Sequence, residues 1–209
     1  MNRKQTLEML KSLTDETLRE ITENQQSYKQ FLEFQAKFHK YRFEETLLIY
    51  AQNPNAIACA TFEQWNSKKV SRRITQGKTA MRIINSENPS QLKYLFELSD
   101  TYGKAFKFPA KQEILEQHQE NVLQSLSDYA ELQGDTFSKN FKYGIEKYLE
   151  NNYNNLIEVF NESKEVLCEG QFKKMIVDSV GYTLCERFGV PKGVYDSEEI
   201  SFTNFDVVS

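Results

Sequence analysis

Between Gln64 and Ile84 the chain carries Lys68, Lys69, Arg72, Arg73, Lys78 and Arg82 and neither Asp nor Glu. Cations at strand-and-turn spacing can track a phosphate backbone, and an exposed ring beside them can stack on an unpaired base. Phe62 and Trp65, the single tryptophan, adjoin the run, and Lys37, Lys40, Tyr41 and Arg42 add charge and an aromatic upstream. The candidate nucleic-acid-binding residues are therefore Lys40, Arg42, Lys68, Lys69, Arg72, Arg73, Lys78 and Arg82. A plainer reading stands beside this one, and composition alone favours it: a basic run is usually a solvated loop surface. Trp65 and Phe62 likewise read better as core residues joining a helix to a sheet than as stacking platforms.

Catalytic chemistry has less to rest on. The two histidines, His39 and His118, lie far apart in sequence. Metal-free cleavage at a 2′-hydroxyl usually needs a His pair or a His with a Lys, and isolated histidines are more often surface residues. Glu44, Glu45 and Asp100 are the carboxylates nearest the basic stretch, and the Glu pair reads as a solvated helix face. No phosphate loop, dinucleotide glycine pattern, nucleophile elbow or HExxH is present. No catalytic residue, metal site or cofactor is assigned. Cys59, Cys168 and Cys185 form neither a disulfide framework nor a zinc pattern and read as buried apolar residues in a reducing compartment.

The chain of 209 residues has a net charge of −4, so any contact with nucleic acid must come from a local patch on a repelling surface. Its start is polar, and no run is long enough to span a bilayer, which predicts a cytoplasmic protein. Residues 1–40 show helical spacing of Leu7, Leu10, Leu18, Ile21, Tyr28, Phe31, Phe34, Phe38 and Tyr41, with Thr14-Asp15 as a cap between a short helix and a long one. A helix over Phe43–Gln52 ends at Asn53-Pro54. Ala56–Ala60 is a strand or close packing, and Thr61 with Gln64 makes a capping box. Strands follow around Arg72–Thr75 and Ala80–Ile84, joined by a turn at Gln76-Gly77-Lys78, and a third at Leu92–Leu98. Beyond Pro109 the chain turns acidic, with helices over Pro109–Leu132, Ser138–Asn151, Leu156–Leu167 and Gln171–Phe188. The last of these carries Phe172, Ile176, Val180, Leu184 and Phe188 at i+4 and Gly189 as its C-terminal stop. Phe202 and Phe205 would pin the tail. The expected fold is α+β and helix-dominated: a small antiparallel sheet at about 58–98, flanked by N-terminal helices and a C-terminal helical bundle. Residues 1–108 form a helical arm with the basic strand unit, and 109–209 an acidic helical region packed with it as one domain.

The order of these motifs carries a resemblance. LLIYAQNPNAIACATFEQWN, SRRITQGKTAMRII and LKYLFELSDT, continuing through SVGYTLCERFG to the closing NFD, resemble the N-terminal module of large proteins on conjugative elements of Firmicutes. That module is distantly similar to the single-stranded-DNA-binding domain of ArdC-type antirestriction proteins. The resemblance covers most of the chain from about Phe31 onward. Stand-alone versions resemble anti-CRISPR proteins that disable type II-A Cas9, some through its guide RNA. The resemblance implies Cas9 or its guide RNA as partner, or single-stranded DNA in the antirestriction alternative; guide cleavage, alone or together with Cas9, is compatible with it. The turn departs from the family pattern Gly-Arg-x-(Ile/Val)-x-(Arg/Lys)-Gly-x-Lys-Gly. Ser71, Gln76, Thr79 and Ala80 replace the first Gly, the basic residue, the Lys and the last Gly, whereas Arg72, Ile74 and Gly77 match.

Overall fold

The computed structural model describes residues 2–104, 112–128, 130–152 and 169–196. The expected helix over Leu156–Leu167, Cys168, the Phe202–Phe205 tail and the NFD motif lie outside the described residues. The fold is α+β and helix-dominated. The chain divides into two compact units, Met1–Glu23 with Lys37–Ala110 and Asn24–Ala36 with Lys111–Ser209. One division falls where the composition turns acidic. The stretch Asn24–Ala36 belongs with the second unit although it precedes the sheet in sequence.

The first unit opens with α1 (Arg3–Thr22), capped by Asn2, whose Oδ1 accepts from the Gln5 amide at 2.9 Å. The expected break at Thr14-Asp15 does not occur. The Thr14 hydroxyl donates to the Leu10 carbonyl at 2.9 Å and that of Thr17 to Leu13 at 2.7 Å, so these side chains are satisfied inside the helix. The break comes instead at Glu23-Asn24, where Asn24 Oδ1 accepts from the Ser27 amide at 2.9 Å and starts α2 (Gln25–Lys37). After a turn, α3 (Phe43–Gln52) spans the expected residues, buries Leu47, Leu48 and Ile49, and packs on α1 and on the sheet. β1 (Cys59–Ala60) leads into α4 (Phe62–Asn66), and the Thr61–Gln64 capping box forms as expected. Trp65 is buried and its indole N–H donates to the Phe96 carbonyl at 2.9 Å, the core role expected of it. Phe62 does not share that role: it stands 54% exposed.

The strands are β2 (Arg72–Ile74), β3 (Met81–Asn85), β4 (Asn88–Glu97) and β5 (Thr101–Gly103), the last two linked by a 3₁₀ turn at Leu98–Asp100. They form two antiparallel sheets, β1-β4-β3 and β2-β5. The turn at Gln76-Gly77-Lys78 is present, with Gly77 at φ 86°. It does not close a hairpin, because β2 pairs with β5 and β3 with β4. Lys78 forms an ion pair with Asp100 at 2.8 Å, and the Thr75 amide donates to the Asp100 carbonyl at 2.8 Å. Both contacts hold β2 and its turn against the segment that enters β5. β5 has too few residues and too little alternation to register as a strand in sequence. Glu45 is not on a solvated face: it is buried, and its Oε1 accepts from Lys93 Nζ at 2.6 Å and from the Ser86 amide at 3.2 Å. This carboxylate ties the start of α3 to the β3–β4 hairpin. Glu44, its neighbour, is exposed.

The second unit is built from the Asn24–Ala36 stretch, which holds nearly all of α2, with α5 (Glu116–Ser127), α6 (Phe137–Asn151), α7 (Glu169–Phe188) and α8 (Gly193–Asp196). Of the expected helix over Pro109–Leu132, residues 109–111 lie outside the described residues and α5 begins only at Glu116, after residues 112–114 have bonded to the end of α7. There the Gln112 and Ile114 amides donate to the Arg187 and Phe188 carbonyls, groups that a helix end leaves without partners. Gly189 at φ 66° stops α7 as expected, with the Val190 amide on the Cys185 carbonyl at 2.9 Å. The core joins Leu32, Phe141, Ile145, Tyr182, Cys185, Val190 and Tyr195. On α7 the buried residues are Val177, Asp178, Gly181, Tyr182 and Cys185, with Val180, Leu184 and Phe188 packed against the core at their margin. A strict i+4 row drifts around a helix of 3.6 residues per turn, so Val180, Leu184 and Phe188 of the stripe seen in sequence flank the buried face instead of forming it. Lys192 Nζ links α2 to α7, bonding Glu33 Oε1 at 2.5 Å and Glu186 Oε2 at 2.9 Å.

Candidate nucleic-acid interface

All eight candidate cations lie in the first unit, on five different pieces of backbone. Lys40 and Arg42 sit in the turn before α3, both exposed. Lys68 and Lys69 are exposed in the turn after α4. That turn ends at Ser71, whose φ of 52° is a left-handed conformation that glycine adopts without cost. The residue then hands the chain to β2.

Strand alternation separates the two neighbouring arginines. Arg72 faces inward: its Nε donates to Thr101 Oγ1 at 2.7 Å, one terminal nitrogen to the Thr101 carbonyl at 2.9 Å and the other to the Lys104 carbonyl at 2.8 Å. Its fork is consumed in holding β5 to β2. Arg73 points the other way and is exposed, opposite Tyr102, which is 56% exposed. Side chains on directly opposed residues of an antiparallel pair share one face, so cation and ring stand side by side.

The same pairing recurs on the larger sheet. Arg82 lies opposite Tyr94, which is 53% exposed. The outer edge of β3 at this point is sealed by the Gln52 amide. Its Oε1 accepts from the Arg82 N–H at 3.1 Å and its Nε2 donates to the Arg82 carbonyl at 2.9 Å, as a neighbouring strand would. This fixes the backbone from which the guanidinium projects. Arg82, Arg73, Lys40, Arg42, Lys68 and Lys69 have no side-chain hydrogen bond or ion pair among the described residues. Lys78 is engaged with Asp100.

The structure thus divides the candidates. Arg72 and Lys78 hold the fold, the lysine pair and the residues before α3 stand free on turns, and Arg73 and Arg82 each stand beside an exposed tyrosine. The exposed rings that strand pairing sets beside candidate cations are Tyr94 and Tyr102, whereas Trp65 is buried. Tyr41, the other aromatic noted upstream, is half-buried with its hydroxyl on the Cys59 carbonyl at 2.7 Å. Tyr94 was visible as one face of an alternating strand, but its partner required the register. Tyr102 required a strand that sequence spacing does not mark.

Three carboxylates near the strands, Glu45, Glu97 and Asp100, are committed to structure. Burial pushes the Glu45 carboxyl up, but the Lys93 ammonium and the Ser86 and Arg42 amides outweigh it and hold the group below its ordinary range. Glu97 behaves alike: burial raises it, and the Ser99 hydroxyl with the Ser99, Ile57 and Ala58 amides brings it lower. Burial pushes the Cys59 thiol far up, aided by the Glu97 and Asp100 charges, so it is no nucleophile. His39 belongs to the first unit and His118 to the second, and both are exposed. Among the described residues no group of three or more His, Cys, Asp or Glu side chains is placed to hold a metal ion. No helix among them is long and apolar enough to cross a membrane. Comparison of the chain with models of known families, with curated proteins and with solved structures finds no match.

Proposed function

We propose that the first unit binds unpaired nucleic acid through its Arg73–Tyr102 and Arg82–Tyr94 pairs, and that the chain uses this contact as an anti-CRISPR protein. In line with the motif resemblance, the target is the guide RNA of a type II-A Cas9 or the Cas9–guide complex. On this reading it acts in the cytoplasm of a bacterium carrying a mobile element. The observation that carries the binding reading is the double occurrence of an unpartnered arginine opposite an exposed tyrosine. A base laid on such a ring gains about 1–3 kcal/mol, and the adjacent guanidinium meets the phosphate that follows. Duplex nucleic acid hides its base faces, so the arrangement favours loops, ends and single strands.

The test is a reconstitution of purified Cas9, guide RNA and target DNA, with target cutting scored beside a denaturing gel of the guide. The expected result is lost cutting with the native chain and restored cutting with Arg73→Glu/Tyr102→Ser. A shortened guide in the inhibited reaction would assign guide cleavage; an intact one would assign occlusion or blocked assembly. Undiminished cutting with the native chain refutes the inhibitor. The sequence tolerance of stacking favours a second reading, in which the chain coats incoming single-stranded DNA and shields it from restriction. It requires salt-sensitive binding to an unstructured DNA oligonucleotide without Cas9.

A further inference from the structure

The Arg82–Tyr94 pair does not stand on a flat sheet. It forms one wall of an open groove of about 540 Å³ bordered by the first turn of α1 and lined by Arg3, Thr6, Arg82, Gln91, Leu92 and Tyr94. That volume is within the range of about 300–1,000 Å³ typical of small-ligand sites. Two guanidiniums border it, and none of the described lining residues is acidic. Arg3 gives one N–H to the Ser90 carbonyl, which leaves most of its donors unused, and the Arg82 guanidinium has no described partner. Two arginines on a groove with no carboxylate among its described lining residues call for an anion, and a half-exposed tyrosine beside them calls for a flat apolar face. One ligand class supplies both.

We infer that this groove is a subsite for a single unpaired nucleotide, its phosphate held between Arg3 and Arg82 and its base laid on Tyr94. The Gln91 amide, which offers one donor side and one acceptor side, meets the base edge and is compatible with more than one base. The inference rests on the proposed nucleic-acid binding and adds to it a defined groove and a role for α1. The N-terminal helix precedes the segment that carries the family resemblance, and Arg3 lies outside the basic run.

The test uses the full chain and a short fluorescein-labelled oligouridylate, followed by anisotropy at several salt concentrations. Tyr94→Thr keeps a β-compatible side chain and removes the ring, and is expected to weaken binding about tenfold, whereas Tyr94→Phe retains the native affinity. Arg3→Gln is expected to lower both the affinity and the slope of log affinity against log salt. In a parallel arm the oligonucleotide carries 4-thiouridine, and ultraviolet crosslinks are expected in the peptide containing Tyr94. Native Trp65 fluorescence in each variant confirms that the unit is folded; if Arg3→Gln fails this control, the two Tyr94 variants decide. Native binding by Tyr94→Thr, with weakened binding by Arg73→Glu/Tyr102→Ser, overturns the groove and leaves the general reading standing. Absence of oligouridylate binding by the native chain overturns both.

Discussion

Arg72 and Arg73 are adjacent in sequence and opposite in environment, and replacing each in turn separates stability from the proposed binding. Arg72→Ala removes three charge-assisted hydrogen bonds, two to Thr101 and one to the Lys104 carbonyl. Such bonds contribute about 1.5–3 kcal/mol each when sheltered. Thr101 is buried but Arg72 only half so, and the Lys104 carbonyl is exposed. Discounting for that exposure leaves a loss of about 2–3 kcal/mol. Trp65 is the single tryptophan and sits in the same unit, so its emission reports this unit's unfolding. With a urea slope of about 1.5 kcal/mol per molar, the midpoint falls by about 1.5 M. Arg72→Lys behaves nearly as badly, because an ammonium keeps the charge but cannot reproduce the fork. Arg73→Ala leaves the midpoint unchanged and weakens oligonucleotide binding. The reasoning is refuted if Arg72→Ala keeps the native midpoint but loses binding while Arg73→Ala binds normally. In that event Arg72 would be the ligand-facing cation and strand alternation would have been misassigned.

Other outcomes follow from the same coordinates. Ser71→Gly relieves a left-handed backbone at φ 52° and is expected to raise the stability of the first unit by about 1 kcal/mol, read as a higher urea midpoint. Glu45 and Glu97 have folded pKa values held below the ordinary 4.5. Each therefore contributes stability that is present above that value and is lost as pH falls through the lowered one, so a pH series of Trp65 unfolding should steepen below about pH 4.5. Glu45→Gln should flatten part of that dependence. A Cβ at position 181 would overlap the Tyr195 ring, so Gly181→Ala is expected to destabilise the second unit by about 1–3 kcal/mol, read by helical circular dichroism. Burial pushes the Cys185 thiol up to about 12 and that of Cys59 higher still. Neither peptide should take up iodoacetamide at pH 8 until denaturant is added, as peptide mass mapping would show.

Local signals in the sequence were accurate where one short-range rule decided the outcome. Pro54 ended α3, the Thr61–Gln64 box started α4, and Gly189 stopped α7. They failed where a distant partner decided. Thr14-Asp15 has cap chemistry, but its hydroxyl found the Leu10 carbonyl and the helix ran on. Glu45 has the appearance of a solvated carboxylate until Lys93, distant in sequence, arrives to neutralise it. The candidate site shows the same division. The basic stretch was legible as composition, but which of its cations are free depended on Thr101, Lys104 and Asp100, none of them inside the stretch. Both tyrosines were in plain sight as residues. Only strand pairing places them opposite arginines.

The turn between β2 and β3 shows why register matters for the choice of target. Gln76 and Thr79 put no charge at its tip, and both of those residues are exposed. Lys78, the cation that remains there, spends its charge on Asp100. The tip of the turn is therefore poorly suited to tracking a continuous phosphate backbone. Free positive charge survives on the strands, at Arg73 and Arg82, and in each case it stands next to a ring. A surface of that kind gains more from bases than from phosphates, since each phosphate contact is screened by salt while stacking is not. It also suits an acidic chain of net charge −4, for which long-range attraction to a polyanion is unfavourable, so that the proposed binding would depend on close contact. Splayed, unpaired bases of a structured RNA meet that requirement better than a uniform duplex does, and the weaker the salt dependence of binding proves, the more of it the two tyrosines carry.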